Sequence, residues 1–261
     1  MLKKFLAYDG IRKNALTALI LTRPVHQNVE LINCFKDSEV TTINYPFIKI
    51  QPLRDYVLFD SIIHQLATYQ YLIFISTNSV KMFIDRMDLL SLKLPEDIIL
   101  ASIGNATQEA LQEKYQREVY YPDNIFDSEH LLNHSVFNNV QSKKALIIRG
   151  EGGRETLKQG LENKGAIVTY GECYKRKFLP IDFKEIKKNT KNFKNISFLI
   201  TSNESAKHFI SEVKNEDKSW LIKCDLIVNH EKIKKRLITF FGNVIVLPEI
   251  NPKNIKLAIK K

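Results

Sequence analysis

The chain has three cysteines, Cys34, Cys173 and Cys224, an odd number with no CxxC among them. That argues against a disulfide framework and a zinc knuckle, and it fits a reducing compartment. No apolar run approaches the roughly 18 residues that a membrane span needs. The N-terminal stretch begins with Lys3 and Lys4, but Asp9, Arg12 and Lys13 interrupt it, and its apolar run, Ala15 to Leu21, is short for a signal core. A cytoplasmic protein without membrane contact is therefore expected. The glycine-rich stretch "ALIIRGEGGRETL" (145–157) spaces its glycines at 150, 152 and 153, which is neither GxxxxGK[ST] nor GxGxxG, so it is not read as a nucleotide loop. His130 and His134 are four apart, yet "HLLNH" lacks the glutamate of a zincin, and two histidines on a helix is the simpler account. The other histidines form no cluster, and no Ser-His-Asp or Cys-His arrangement declares itself. No cofactor and no metal are expected.

What the chain does have is length, apolar content and positive charge. Its 261 residues are 44% hydrophobic, enough for one large or two ordinary folded domains. With 39 Lys+Arg against 29 Asp+Glu the formal net charge is +10, which favours a polyanionic partner. The basic runs "KEIKKNTKNFKN" (184–195), "KIKKR" (232–236) and "KNIKLAIKK" (253–261) lack interleaved aromatics for stacking bases. They are read as solvated helix faces, and no nucleic acid partner is expected.

Short apolar runs recur at 18–21, 71–75, 98–103, 145–148, 197–200, 226–228 and 244–247, each followed by a polar turn and a segment of helical spacing. Continuous rather than alternating hydrophobicity indicates strands covered on both faces, as in a parallel sheet between helices, so the fold class is α/β. The chain also repeats. "LIFISTNSVKMFI" (72–84) and "FLITSNESAKHFI" (198–210) align at a displacement of 126, which also carries Arg23 onto Arg149, Leu31 onto Leu157, Leu111 onto Leu237 and Pro122 onto Pro248. Two copies of one α/β unit, about 19–135 and 145–261, are expected. "YPFIKIQPL" (45–53) and "YGECYKRKFLP" (170–180) read as extended connectors, and periodicity leaves open which early strand docks with which later sheet.

Open α/β sheets bind ligands at the carboxyl ends of their strands, where helix starts expose unpaired N–H groups. Ser76, Thr77, Asn78, Ser202 and Asn203 stand at two such junctions and are good helix caps. "SIGNATQEALQ" (102–112) offers a third, with Gly104 permitting close backbone approach, then Asn105 and Thr107. Its copy, "VNHEKIKKRL" (228–237), has His230 and Ile233 at the Gly104 and Thr107 positions. Arg149 and Arg154 make the turn around Gly150 electropositive. Tyr174 lies in the second connector beside Lys175 and Arg176, cations that are expected to lower its pKa and suit it to proton donation.

These motifs together, "LILTRP" at 19–24, "YLIFISTNSVKMF" at 71–83, "ASIGNATQEAL" at 101–111, "ALIIRGEGGRETLKQGLENKGAIVTYGECYKR" at 145–176 and "FLITSNESAKHF" at 198–209, resemble the uroporphyrinogen-III synthase family over about residues 19–250. The resemblance implies two similar flavodoxin-like α/β domains joined by a two-stranded connector, with the active site in a cleft between them. Residues 1–47 plus 179–261 would form one domain and 54–170 the other, with 48–53 and 171–178 as connectors, so that each domain mixes the two repeats. It implies closure of linear hydroxymethylbilane, which carries eight carboxylates, with loss of water and inversion of the fourth ring, in heme biosynthesis. Tyr174 takes the place of the tyrosine proposed to assist loss of the hydroxyl. Ser76, Thr107 and Ser202 match the family's cleft-lining hydroxyl positions; these and, from the junctions read above, Arg23, Thr77, Asn78, Gly104, Asn105, Arg149, Gly150 and Asn203 are expected to contact substrate. A monomer is expected, with transient contact to hydroxymethylbilane synthase. Two departures from the family stand out: the His230/Ile233 loop and the extension before Leu19. The alternative is a non-enzymatic two-domain binder of a polyanionic small molecule or of nucleic acid.

Overall fold

The computed structural model describes residues 16–123 and 125–259. The N-terminal stretch 1–15 lies outside them. In chain order the elements are β1 (Thr17–Leu21), α1 (Val29–Phe35), β2 (Val40–Asn44), β3 (Ile48–Gln51), α2 (Val57–Ile63), β4 (Tyr71–Phe74), α3 (Thr77–Leu89), β5 (Ile99–Ser102), α4 (Asn105–Tyr115), β6 (Val119–Tyr120) and α5 (Ser128–Leu132). They continue with β7 (Lys144–Gly150), α6 (Thr156–Asn163), β8 (Ile167–Phe178), α7 (Phe183–Thr190), β9 (Asn195–Ile200), α8 (Asn203–Glu212), α9 (Asn215–Leu221), β10 (Asp225–Val228), α10 (Glu231–Leu237), β11 (Asn243–Val246) and α11 (Pro252–Ile259). All seven apolar runs are strands, and β1 and β4 are buried along their whole length.

The chain forms two compact units. One holds the described residues up to Lys49 with those from Lys177 on; the other is Ile50–Arg176. The first has a five-stranded sheet in the order β11-β10-β9-β1-β2, with parallel pairs throughout. The second has six strands in the order β3-β8-β7-β4-β5-β6, parallel from β8 to β6. The first sheet therefore takes two strands from the first sequence repeat and three from the second, and the second sheet takes four from the first and two from the second. The registers agree across the displacement: Leu21 faces Leu199 in the first unit, and Ile147 faces Ile73 in the second. Leu226 facing Phe198 corresponds likewise to Leu100 facing Leu72. Numbered within a repeat, the first sheet runs 2-1-3-4-5, the flavodoxin-like order, and the second runs the same way with β3 added at the β8 edge.

One difference between the repeats has a plain cause. Where the first copy breaks into β2 and β3 around Pro46, the second runs as the single strand β8. Proline lacks the N–H that a ladder needs, whereas its counterpart, Glu172, has one.

Each unit packs its helices around a phenylalanine that the repeat supplies to both. Phe83 on α3 meets Phe74 at 5.2 Å and Phe59 at 6.5 Å between ring centroids. Phe209 on α8 meets Phe198 at 5.3 Å, Phe241 at 5.2 Å and Phe47 at 5.5 Å. All are buried, and each such side chain contributes about 1.5–3 kcal/mol on leaving water. Over the described residues the basic runs lie mostly on α7, α10 and α11, which turn Ile186, Ile233 and Ile255 inward.

Helix α3 is tied to α2 by an ion pair. Arg86 Nε donates to Asp60 Oδ1 at 2.7 Å, Nη2 donates to Oδ2, and the guanidinium stacks on the Tyr56 ring. The Arg86 hydrogen bonds hold the Asp60 carboxyl below its ordinary value, against the opposing effect of burial. A depressed folded-state pKa stabilises above the unfolded-state value and is lost as pH falls through the folded one. The wild type is therefore expected to melt above an Asp60→Asn variant at neutral pH, with the gap closing below about pH 4. Thermal melts of both across pH 2–7 check this; a pH-independent gap would show that the carboxylate charge is not what stabilises.

Candidate active site

In the second unit the strand order reverses between β7 and β4, and a crevice outside the carboxyl ends of strands at such a point is where open α/β sheets bind ligands. The chain places Gly150 at the end of β7 and Ser76 just past β4. Beside them, on β8, is Tyr174. The three come together although 98 residues separate Ser76 from Tyr174.

Ser76 is the N-cap of α3 in a reciprocal capping box. Its Oγ accepts from Ser79 N–H at 3.1 Å, and Ser79 Oγ accepts from Ser76 N–H at 3.1 Å. Such a cap is worth about 1 kcal/mol, and it fixes the hydroxyl in one direction. That hydroxyl lies 3.2 Å from the Tyr174 phenol oxygen, in a hydrogen bond that either group can donate. Thr77 and Asn78, the first residues of α3, are half-buried beside it.

Tyr174 reaches this position through an irregularity in the sheet. Arg149 faces Glu172 while the next residue, Gly150, faces Tyr174, so Cys173 is extra in the ladder. The bulge lets consecutive residues, Cys173 and Tyr174, both enter the core that contains Phe59, Phe74 and Phe83. Tyr174 is 1% exposed and belongs to the second unit's core, so it is not the residue of a free-standing connector. Gly150 makes room for its ring: a Cβ there would lie 2.5 Å from the ring's Cε2.

Burial raises the phenol above its ordinary pKa and outweighs the Ser76 hydrogen bond and the Arg176 cation, which both pull it down. This corrects the expectation that adjacent cations lower it. A buried phenol loses hydration as the phenolate, and that loss is larger than the gain from one half-exposed guanidinium. Tyr174 therefore holds its proton at neutral pH.

The glycine-rich turn also differs from expectation. Arg149 is 4% exposed, and its charge is taken up internally. Nη1 meets Glu155 Oε1 at 3.2 Å, Nε lies 3.3 Å from Glu172 Oε1, and the guanidinium stacks 3.9 Å from the Tyr170 ring centroid. Arg149 thus braces the turn from inside, its charge paired with two carboxylates of the same unit. Glu172 also accepts from Gly152 N–H at 3.0 Å. The residue that sequence reasoning passed over is Arg176, noted only as a neighbour of Tyr174. Its signal was the Tyr-x-Arg spacing, since alternate residues of a strand share a face.

At the β5–α4 junction Gly104 is the N-cap in an extended conformation, and an added Cβ would meet nothing nearer than 3.7 Å. The geometry does not demand glycine there. Thr107 is buried under the first turn, and Asn105 is exposed, its amide donating to Glu109 at 2.8 Å.

In the first unit the corresponding reversal lies between β1 and β9. Ser202 caps α8 as Ser76 caps α3, its Oγ accepting from Ser205 N–H at 3.0 Å, and Asn203 opens the helix. Arg23, half-buried just past β1, donates from Nε to Asn28 Oδ1 at 3.1 Å. Burial pulls its pKa down, opposed by the Glu30 charge. The buried amide of Asn28 in turn donates to Asn44 at 2.8 Å, so that one network ties together the ends of β1 and β2. At the divergent loop His230 caps α10, with Nδ1 accepting from Lys232 N–H at 3.0 Å, and Ile233 is buried. The imidazole has taken over the helix start. His130 accompanies Asp127 at 2.6 Å on α5, while His134 lies beyond that helix, and no cluster of metal-ligating side chains occurs among the described residues.

A family model described as "Uroporphyrinogen-III synthase HemD" matches residues 30–251. The uroporphyrinogen-III synthase of Proteus mirabilis is 29% identical over 175 residues, 67% of this chain and 88% of that protein. The enzyme of the same name from Escherichia coli (strain K12) is 26% identical over 219 residues, 84% of this chain and 89% of that one. Among solved structures, a mutant uroporphyrinogen III synthase from the extremely thermophilic bacterium Thermus thermophilus superposes with a TM-score of 0.66 at 12% identity, covering 94% of this chain and 98% of that chain. Uroporphyrinogen-III synthetase from Helicobacter pylori 26695 gives 0.56 at 15% identity, covering 94% and 99%. At such identities the structures speak for the fold, and the family rests on the sequence match that runs through both units: the chain belongs to the uroporphyrinogen-III synthase family.

Proposed function

We propose that this enzyme closes hydroxymethylbilane to uroporphyrinogen III with Tyr174 as the proton donor to the departing hydroxyl. The observation that carries the assignment is the phenol itself: protonated, fixed by Ser76, and placed at the strand-order reversal of its sheet. The terminal hydroxyl takes the Tyr174 proton and leaves as water, and the remaining carbon becomes an azafulvene cation. The substituted carbon of the fourth ring attacks it. Rearrangement inverts that ring, and the proton lost when aromaticity returns restores the phenol. The protein's larger contribution is to hold a flexible tetrapyrrole curled for this attack, which converts conformational search into a near-attack geometry.

Eight carboxylates need donors. The helix starts at Ser76, Thr77 and Asn78, at Gly104, Asn105 and Thr107, and at Ser202 and Asn203 supply backbone N–H groups and hydroxyls suited to them. Arg23 adds a charge in the first unit. Gly150 serves by seating Tyr174, and Arg149 by bracing the turn. The protein acts as a monomer in the cytoplasm; no helix among the described residues is long and apolar enough to cross a membrane.

The decisive experiment supplies freshly generated hydroxymethylbilane, oxidises the products and separates the porphyrin isomers. Isomer III in excess is expected. Isomer I alone from folded protein, the product of spontaneous closure, would refute the reading.

A further inference from the structure

Tyr174 is covered by a residue of its own strand. Arg176 Nη1 donates to the phenol oxygen at 3.4 Å, with the guanidinium 5.7 Å from the ring centroid. Its Nη2 donates to the carbonyls of Glu151 at 3.0 Å and Gly152 at 3.3 Å. Every acceptor that Arg176 meets among the described residues is thus uncharged, whereas the neighbouring Arg149 is bound to two carboxylates. A guanidinium served by carbonyls and a phenol gains when a carboxylate replaces them, because a bidentate ion pair adds the attraction of two full opposite charges to hydrogen bonds in which only the donor was charged.

Access is built into the turn. Gly153 has φ +124°, a conformation that strains any other residue, and a Cβ there would lie 3.8 Å from the Nη2 atoms of both Arg149 and Arg176. The absence of a side chain leaves the approach to Arg176 unobstructed.

Resting on the assignment of Tyr174 as proton donor, we infer that Arg176 is a positioning residue that caps the phenol before substrate binds and is drawn off by a substrate carboxylate arriving at the Gly152–Gly153 turn. Its release uncovers the hydroxyl at the moment a correctly placed substrate is present. Recognition of one carboxylate is thereby coupled to proton delivery, and a bilane lacking that carboxylate is turned over poorly even where it binds.

The test pairs kinetics with a direct view of the phenol. Protein labelled with 13Cζ-tyrosine, its Tyr174 resonance assigned by loss in Tyr174→Phe, is titrated with uroporphyrin III, a stable octacarboxylate. In the wild type the Tyr174 resonance is expected to move on binding. In Arg176→Gln it should start displaced and move less, while KM for hydroxymethylbilane rises roughly tenfold to a hundredfold, the effect of one lost charge-assisted interaction. Arg176→Lys, which keeps a cation without the fork, should recover part of the KM and serves where the glutamine variant folds poorly. An enzyme that makes isomer III with KM, kcat and Tyr174 resonance all unchanged by Arg176→Gln would overturn the cap. Wild-type protein that makes isomer I alone would overturn the synthase reading beneath it, and the cap's role with it.

Discussion

Tyr174→Phe is expected to lower kcat for uroporphyrinogen III formation by about a hundredfold or more, the range over which a positioned general acid contributes. The fold should survive, because phenylalanine fills the same place among Phe59, Phe74 and Phe83 and keeps the contact with Gly150. The hydrogen bonds lost are those to Ser76 and Arg176; the Ser76 hydroxyl retains Ser79 N–H as its donor, and Arg176 retains the carbonyls of Glu151 and Gly152. The measurement is kcat and isomer ratio beside a thermal melt. Wild-type turnover in the variant would remove the phenol from the chemistry and leave Tyr174 as a packing residue; a large fall in melting temperature would make the kinetic loss uninterpretable as lost acid catalysis. The spontaneous route to isomer I supplies an internal control, since it proceeds whether or not the enzyme does.

Gly150→Ala should impair the same step by the opposite means, keeping the hydroxyl and moving it. The added methyl would fall 2.5–2.9 Å from three atoms of the Tyr174 ring, which is buried in the core and must shift to make room. Overpacking of this kind costs about 1–3 kcal/mol, and a displacement near 1 Å of a catalytic group costs about a hundredfold in rate. Both effects are expected together: a lower melting temperature, and a fall in kcat that persists where the protein is fully folded. If Gly150→Ala matches the wild type in melting temperature and kcat, the ring is not wedged as described. Because both substitutions act through one hydroxyl, the double variant with Tyr174→Phe should lose little more activity than Tyr174→Phe alone.

Both tests concern residues that the sequence exposed to different degrees. Ser76 and Ser202 were legible as helix caps from their places between an apolar run and a segment of helical spacing, since capping is a local interaction between residues three apart. Tyr174 stood out only through its family resemblance and its basic neighbours. Its burial, and the rise in its pKa that follows, depend on Phe59, Phe74, Phe83 and Gly150, brought to it from elsewhere in the chain. Arg149 shows the same limit in reverse. Its motif reads as an electropositive turn, but Glu172 comes back along β8 to join Glu155 in offsetting the charge while Tyr170 stacks on the guanidinium, and no spacing within 145–157 could announce the two partners from β8.

The α/β class, the positions of the seven core strands, the caps of the paired helices and the existence of a repeat all follow from the order of residues, because burial periodicity and capping act over a few residues. That each sheet mixes strands of both repeats is implied by the family resemblance and not by periodicity; it took the folded chain to establish which strands pair, that a bulge at Cys173 turns Tyr174 into the core, and that Arg176 rather than Arg149 is the arginine at the phenol. Strand partnership and the net charge at a point are sums over residues distant in the chain, and only the folded arrangement sets which of them meet.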